Sequence, residues 1–152
     1  MKFSLNKKSI AVLAVVLAIV LFFLISLIVK SATTTKKYMY FYSYDSDDIC
    51  REVREYPRNS SINLLERFVS DLLLGPITIR YRRIFALGTK LDFCVVKGDE
   101  LHVGVSEDAL FLNPDSMDIR TSAELLRKNI VKNFTNFNKI YIYIGGTIVF
   151  QE

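Results

Sequence analysis

The sequence predicts an α+β fold: an N-terminal transmembrane helix followed by a two-layer sandwich. In that sandwich a mainly antiparallel sheet carries two helices on one face, in the order ββαββαβ. Residues 10–29 form an unbroken apolar run. Two later segments have apolar residues at helical spacing, and several short segments alternate between apolar and polar residues. Because each later helix has a single apolar face, both are expected to cover the same side of the sheet.

The chain divides into four predicted parts: a cytoplasmic tail (1–9), the transmembrane helix (10–29), a polar linker (30–37) and one domain (38–152). The apolar run has the ~20 residues that a helix needs to cross a bilayer. A cleaved signal peptide is the alternative, but it has a shorter apolar stretch and a small-x-small cleavage site. The short tail cannot hold a domain. We therefore expect a single-pass protein of the plasma (inner) membrane whose C-terminal domain lies outside the cytoplasm.

Charge is unevenly distributed along the chain. Lys2, Lys7, Lys8 and Lys30 flank the apolar run, and residues 1–30 contain no acidic residue. The remaining sixteen basic and sixteen acidic residues leave the folded part formally neutral. A nucleic-acid-binding domain carries its excess positive charge on the folded part. The sequence therefore argues against a nucleic-acid partner.

The first half of the domain predicts a hairpin and a helix. Residues 38–44 are aromatic and alternate loosely, and residues 45–48 are typical of a turn. Residues 49–56 form a second strand, whose four charged residues predict a half-solvated position near an edge. Ser60 or Ser61 is expected to cap the following helix, which ends at Gly75 and Pro76.

The second half predicts another hairpin, a helix and a last strand. Residues 91–105 alternate on both sides of a tight turn at residues 97–100. Thr121 and Glu124 have the spacing of a capping box, and Glu124 and Lys128 that of an i,i+4 ion pair. Residues 139–144 form a strand that the two following glycines interrupt, and residues 147–150 could resume it.

Residues with catalytic, cofactor-binding or metal-binding patterns are not found in the sequence. His102 lies in a strand and has no evident companion. The acidic residues 45–48 resemble the start of a calcium loop, but Tyr56 stands where the bidentate glutamate would be. Cys50 and Cys94 are interpreted as free thiols, although they could pair in an extracytoplasmic domain. We therefore predict a protein that is not an enzyme and needs no cofactor.

One local basic cluster is a candidate partner contact. It consists of Arg80, Tyr81, Arg82 and Arg83, hereafter the arginine loop. Such a cluster attracts anionic lipid, wall polymer or an acidic protein. The alternative interpretation is a solvated loop without a partner.

Several motifs, in order, resemble those of the GerM-type (GerMN) domains of sporulation and germination proteins. Residues 72–76 (Leu-Leu-Leu-Gly-Pro) are similar to the family's helix-ending motif. Residues 85–91 resemble its Pro-x-Gly-Thr stretch, and residues 103–111 resemble its strand ending in Ser and Phe. The chain departs from this pattern at Ala86, where the family has proline, and at Gly104, where it has aspartate.

The resemblance implies a non-catalytic module of the bacterial cell envelope, similar to the modules that build rings in secretion machines. It implies partners among envelope proteins or other copies of the chain. It does not imply that the organism forms spores. Our leading hypothesis is a membrane-tethered scaffold or adaptor. The alternatives are a module that binds peptidoglycan or a related wall polymer, and an enzyme with a dispersed site.

The first prediction concerns the anchor. N-terminal sequencing of the protein purified from membranes should give a chain that begins at or near Met1, because the apolar run lacks a convincing cleavage site. Protease added to cells with a permeabilised outer layer should digest the domain. A mature chain that begins near Ala32 would contradict the prediction.

Overall fold

The computed structural model describes residues 7–58, 63–111 and 117–151. The chain forms two compact units. Met1–Thr35 with Pro57–Asn59 make the first, and Lys36–Tyr56 with Ser60–Glu152 make the second. The second unit contains the sheets and two of the helices.

The first unit is built on a long apolar helix, α1 (Lys7–Thr33). Its segment Ile10–Val29 is long and apolar enough to cross a membrane, and the unit buries none of it. This segment is a candidate membrane anchor or signal sequence. In place of the predicted linker at 30–37, the helix continues to Thr33 and β1 begins at Thr34. The change to β-branched threonines at this point favours an extended chain.

The remaining elements follow the predicted order with one added strand at the end. Their bounds are β1 Thr34–Tyr42, β2 Ile49–Pro57, α2 Leu64–Leu74, β3 Leu91–Lys97, β4 Glu100–Val105, a short 3₁₀ helix Glu107–Leu110, α3 Ile119–Asn133, β5 Lys139–Ile144 and β6 Thr147–Gln151. Gly145 and Gly146 both have positive φ (53° and 81°). They form a tight turn between β5 and β6 rather than an end to the sheet.

The strands form two sheets instead of the single sheet that the sequence suggested. β1 pairs with β2, and a four-stranded sheet has the order β3-β4-β5-β6. An isolated bridge pairs Ser43, just after β1, with Tyr81 in the loop between α2 and β3. β3 and β6 run antiparallel to their neighbours, while β4 and β5 are parallel because α3 carries the chain back between them. The predicted α+β class and mainly antiparallel pairing are confirmed.

One apolar core joins the sheets to α2 and α3. Phe68 of α2 and Leu126 of α3 are fully buried, and both lie in the same cluster as Phe41 and Ile142. The burial of Leu65 and Phe68 confirms the helical face predicted for α2. Both helices pack on the side of the four-stranded sheet that carries its buried residues, and no helix of the described residues covers the other face.

The starts of both helices differ from the predicted caps. α3 begins at Ile119, and the side chain of Asp118 accepts a hydrogen bond from the N–H of Thr121 (3.0 Å). The predicted cap at Thr121 is therefore wrong, since an earlier acidic side chain takes that role. Glu124 forms its ion pair with Arg120 (3.1 Å). The α2 cap is Asn63, and the predicted Ser60 and Ser61 lie outside the described residues.

Two asparagines of α3 hold the free edge of β1. The side-chain amide of Asn129 accepts from the N–H of Tyr40 (2.7 Å) and donates to its carbonyl (2.9 Å). The side-chain amide of Asn133 likewise accepts from the N–H of Tyr38 (2.8 Å) and donates to its carbonyl (2.6 Å). Four helical residues rise about 6 Å and two strand residues about 6.7 Å, so the two spacings match. The helix thus takes the place of a missing strand.

The second prediction tests this edge. Asn129→Leu should lower the free energy of unfolding by about 2–4 kcal/mol, because the N–H and carbonyl of Tyr40 lose their partner in a site where Asn129 is fully buried. Urea unfolding of the full-length protein in detergent measures it. Asn136→Leu, an exposed asparagine just beyond the helix, is the matched control. Equal midpoints for the two variants would contradict the proposed role of Asn129.

Candidate interaction surface

The helix-free face of the four-stranded sheet carries an aromatic and aliphatic surface. β4 and β5 bury every second residue, Leu101, Val103 and Val105 on one strand and the three isoleucines on the other. The alternate residues therefore point to the open face. We call this surface the open-face platform, and its members are Phe93, Val95, His102, Tyr141, Tyr143 and Ile148.

The rings at the centre of the platform are in mutual contact. His102 and Tyr141 are register partners on β4 and β5. Their rings stack, with centroids 4.7 Å apart and planes 4° from parallel. His102 Nδ1 forms a hydrogen bond with the hydroxyl of Tyr143 (2.9 Å). Nε2, the other ring nitrogen of His102, is buried and has no hydrogen-bond partner.

Gly104 explains how Phe93 reaches the platform. The Phe93 ring lies 5.4 Å from that of Tyr143, centroid to centroid. A Cβ atom added at Gly104 would stand 2.1 Å from the Phe93 ring. Any other residue at position 104 would therefore push the phenylalanine away. At Gly104, where the GerMN pattern has aspartate, the Phe93 ring packs over the backbone of β4.

The sequence-based interpretation of His102 as a residue without companions is wrong. Besides the two tyrosines, Glu100 Oε2 lies 3.8 Å from His102 Nε2, and Glu100 also binds Lys139 (3.0 Å). Glu100 and His102 lie on the same strand, but the contacts with the tyrosines and with Lys139 cross from β4 to β5, which are parallel and about 40 residues apart along the chain. Local alternation predicts each strand but not this pairing. The tyrosines at alternate positions of β5 were the one available sign of a second, non-core face.

The arginine loop does not form a shared cationic patch. Arg80 pairs with Asp45 (3.5 Å) and Arg82 with Asp47 (2.9 Å), both in the β1–β2 turn. Arg83 turns back and donates to the carbonyl of Leu74. The acidic turn that resembled a calcium loop is therefore an ion-pair partner of the arginine loop.

The inward face of β2 fixes the segment before the arginine loop. The carboxylate of Glu52 accepts hydrogen bonds from the backbone N–H groups of Thr78 (2.7 Å) and Ile77 (3.1 Å), and Arg54 donates to the carbonyl of Gly75 (2.9 Å). The side chains of Glu52 and Arg54 are only 10% and 16% exposed. β2 is half-solvated as predicted, but two of its four charged residues, Glu52 and Arg54, point inward.

The described residues do not form a metal site. No group of three or more His, Cys, Asp and Glu side chains there could hold a metal ion. Cys50 and Cys94 are half-buried free thiols. Burial, with a smaller effect of Glu66, raises the pKa of Cys94 to about 11, which makes it a poor nucleophile.

Comparison with solved structures identifies the fold as that of GerMN domains. The tandem GerMN domains of the sporulation protein GerM from Bacillus subtilis match with a TM-score of 0.60 and 13% identity, over 77% of this chain and 41% of theirs. The first GerMN domain of the same protein matches with a TM-score of 0.56 and 12% identity, over 76% of this chain and 86% of that one. The chain thus spans less than half of the tandem structure.

The similarity to GerMN domains was found by comparing structures and not by comparing sequences. No model of a known protein family matches the chain, and neither does any curated protein sequence. The resemblance predicted from the motifs is confirmed as a GerMN-type fold. Gly75 of the helix-ending motif has φ 95° and donates to the carbonyl of Leu72 (3.1 Å). Such a positive φ favours glycine at this helix end.

The third prediction uses the pH dependence of Glu52. Although burial raises the pKa of Glu52, hydrogen bonds from Thr78, Ile77 and Arg54 outweigh it and lower that pKa below its ordinary value. The stabilisation is therefore present at neutral pH and is lost as pH falls through the folded-state pKa. Glu52→Gln should cost about 2 kcal/mol at pH 7, and the difference from the parent should shrink below pH 4 or so.

Urea unfolding of the full-length protein in detergent, from pH 7 down to pH 3, measures the effect. Glu55→Gln is the matched control on the same strand, since its ion pair with Lys36 is long (3.8 Å) and exposed. A constant difference between parent and Glu52→Gln at all pH values would show that the carboxylate's charge does not stabilise the fold.

Proposed function

We propose that this protein is a non-catalytic, membrane-tethered adaptor in a bacterial cell-envelope assembly. In this proposal α1 remains as a single-pass anchor in the plasma (inner) membrane, and the GerMN-type domain lies outside the cytoplasm. The open-face platform is the contact surface for a neighbouring envelope protein. The observation that carries the proposal is this apolar platform on a sheet face without a helix.

The exposed part of the platform is apolar. Phe93, Val95 and Ile148 are 36%, 42% and 49% exposed. Nδ1 of His102 bonds to the hydroxyl of Tyr143, and Nε2 of His102, which has no hydrogen-bond partner, is already buried. A protein surface with apolar side chains can cover such a face without leaving polar groups unpaired. A glycan would need free hydrogen-bonding groups beside the rings, so these contacts favour a protein partner over wall polymer.

The anchor supports the same role. A span of 20 residues, Ile10–Val29, confines each copy to the membrane plane. Confinement raises the effective concentration of neighbouring proteins and strengthens a weak contact without new interactions. The two GerMN structures compared above belong to a sporulation protein.

The arginine loop is a second candidate contact. Arg80 keeps 75% of its side chain exposed while it pairs with Asp45. Arg82 is 34% exposed and lies over the ring of Tyr44 (5.4 Å). Because both guanidinium groups have intramolecular acidic partners, a new partner would have to compete for them. We therefore rank the loop below the platform.

The fourth prediction is a position-dependent crosslink in cells. A photoreactive phenylalanine analogue at Phe93 of the anchored, full-length protein should capture an envelope protein, because the position is aromatic and partly exposed. The same analogue at Leu87, which is apolar and 71% exposed on another surface, is the matched control. An analogue at Tyr81 tests the arginine loop in parallel.

A charge introduced on the platform should abolish the crosslink without unfolding the domain. Val95→Glu places a carboxylate on an exposed position of the platform, and Leu87→Glu is its control. Unchanged capture from Phe93 in the Val95→Glu variant would contradict the platform as a contact. Capture from Tyr81 alone would move the site to the arginine loop. If no position captures protein while labelled wall fragments bind the purified protein, the wall-polymer alternative replaces the adaptor.

A further inference from the structure

A groove lies between the outward face of α3 and the last strand, on the side of the sheet away from the open-face platform. Its volume is about 550 Å³. We call it the α3–β6 groove. Its lining includes four basic residues of α3 and two apolar side chains at its base: Arg120, Arg127, Lys128, Lys132, Val131 and Phe150.

The basic residues share one face of the helix. Positions 120, 124, 127, 128 and 131 follow helical spacing, and the groove side is distinct from the stripe that holds Asn129 and Asn133 against β1. Glu124 is the one acidic lining residue, and it pairs with Arg120. The lining therefore has a formal charge of +3, in a folded part whose formal charges balance overall. A concave, one-signed surface focuses its field on an anionic ligand.

The second wall of the groove is a sheet edge. β6 is the last strand in the order β3-β4-β5-β6, and it pairs only with β5 among the described strands. An edge strand presents backbone N–H and C=O groups that can pair with another extended chain. Val131 is 40% exposed and Phe150 is half-buried. The groove thus combines a strand edge, an apolar base and a basic wall.

We propose that the α3–β6 groove binds an extended acidic segment of a partner protein, which adds to the sheet as a strand beside β6. The segment's backbone would pair with β6, its apolar side chains would contact Val131 and Phe150, and its carboxylates would face the basic side chains of α3. Charge complementarity selects an anion, and the strand edge selects a peptide rather than a lipid headgroup or a wall polymer, because only a peptide backbone can extend the ladder.

The probe is a fluorescent octapeptide that alternates glutamate and valine, bound to the full-length protein in detergent. Two control peptides separate the contributions. Lysine in place of glutamate reverses the charge, and proline in place of valine keeps the charge but removes backbone donors. We expect the first peptide to bind at least tenfold more tightly than either control. Backbone amides of β6 should become protected from hydrogen exchange only with that peptide.

Variants of the groove test the site itself. Lys128→Glu with Lys132→Glu should weaken binding of the glutamate–valine peptide at least tenfold, while Lys90→Glu, an exposed lysine outside the groove, should change it less than twofold. Melting curves of the variants check their folding. Equal binding of the proline peptide would overturn strand addition, and so would the absence of binding by any peptide. Unchanged binding in the double variant would overturn the assignment to the groove.

The outcome is separable from that of the proposed adaptor function. The peptide assay reports only the α3–β6 groove, whereas crosslinking at Phe93 reports only the open-face platform. Either surface can fail its test while the other passes.

Discussion

The arrangement of the domain depends on the hydrogen bonds that α3 makes to the edge of β1. An edge strand leaves a row of backbone groups without partners, which proteins cover or disrupt to prevent unwanted pairing. Here the side-chain amides of Asn129 and Asn133 provide both a donor and an acceptor for alternate residues of β1. An amide is the one uncharged side-chain group that can replace a peptide unit in this way. The helix is consequently fixed in both position and rotation.

Fixing the rotation of α3 determines what each of its faces does. Ser122 and Asn129 are buried and bond to the loop at Ile84 and to β1, while Leu126 and Ile130 fill the core. The remaining face therefore carries the charged residues and lies outward beside β6. Because α3 is also the connection that makes β4 and β5 parallel, the same docking sets the pairing on which the stacked rings of the platform depend.

The sequence was sufficient for the elements whose evidence is local. Helical spacing identified the buried face of α2, and alternation identified the β3–β4 hairpin and β5. The sequence also located the glycine that ends α2 and the glycine in the β3–β4 turn. Gly75 and Gly98 both have positive φ, which is a local requirement. The motifs led to the GerMN fold even though identity to the solved GerMN domains is only 12–13%. What they could not provide was any contact between distant segments.

The missed features are long-range pairings of polar residues. Periodicity assigns Asn129 to the inside of α3 but gives no reason for a polar residue there, because its partner is 89 residues away. Glu52 appeared solvated for the same reason, since its partners at Ile77 and Thr78 belong to a segment without regular structure. The arginine loop seemed to be a free cationic cluster because its acidic partners lie in another turn. In each case the sequence shows which residues are polar or charged but not which residues they pair with.

The pairings also explain why a formally neutral domain can present two very different surfaces. Where opposite charges meet, as in the arginine loop, the field cancels at short range. In the lining of the α3–β6 groove four basic residues outnumber one carboxylate, so the formal charges do not balance. On the open face Nδ1 of His102 bonds to the hydroxyl of Tyr143, so a partner that covers this face need not break that hydrogen bond. In the proposed function, a membrane tether supplies the proximity that makes a weak contact on this face effective.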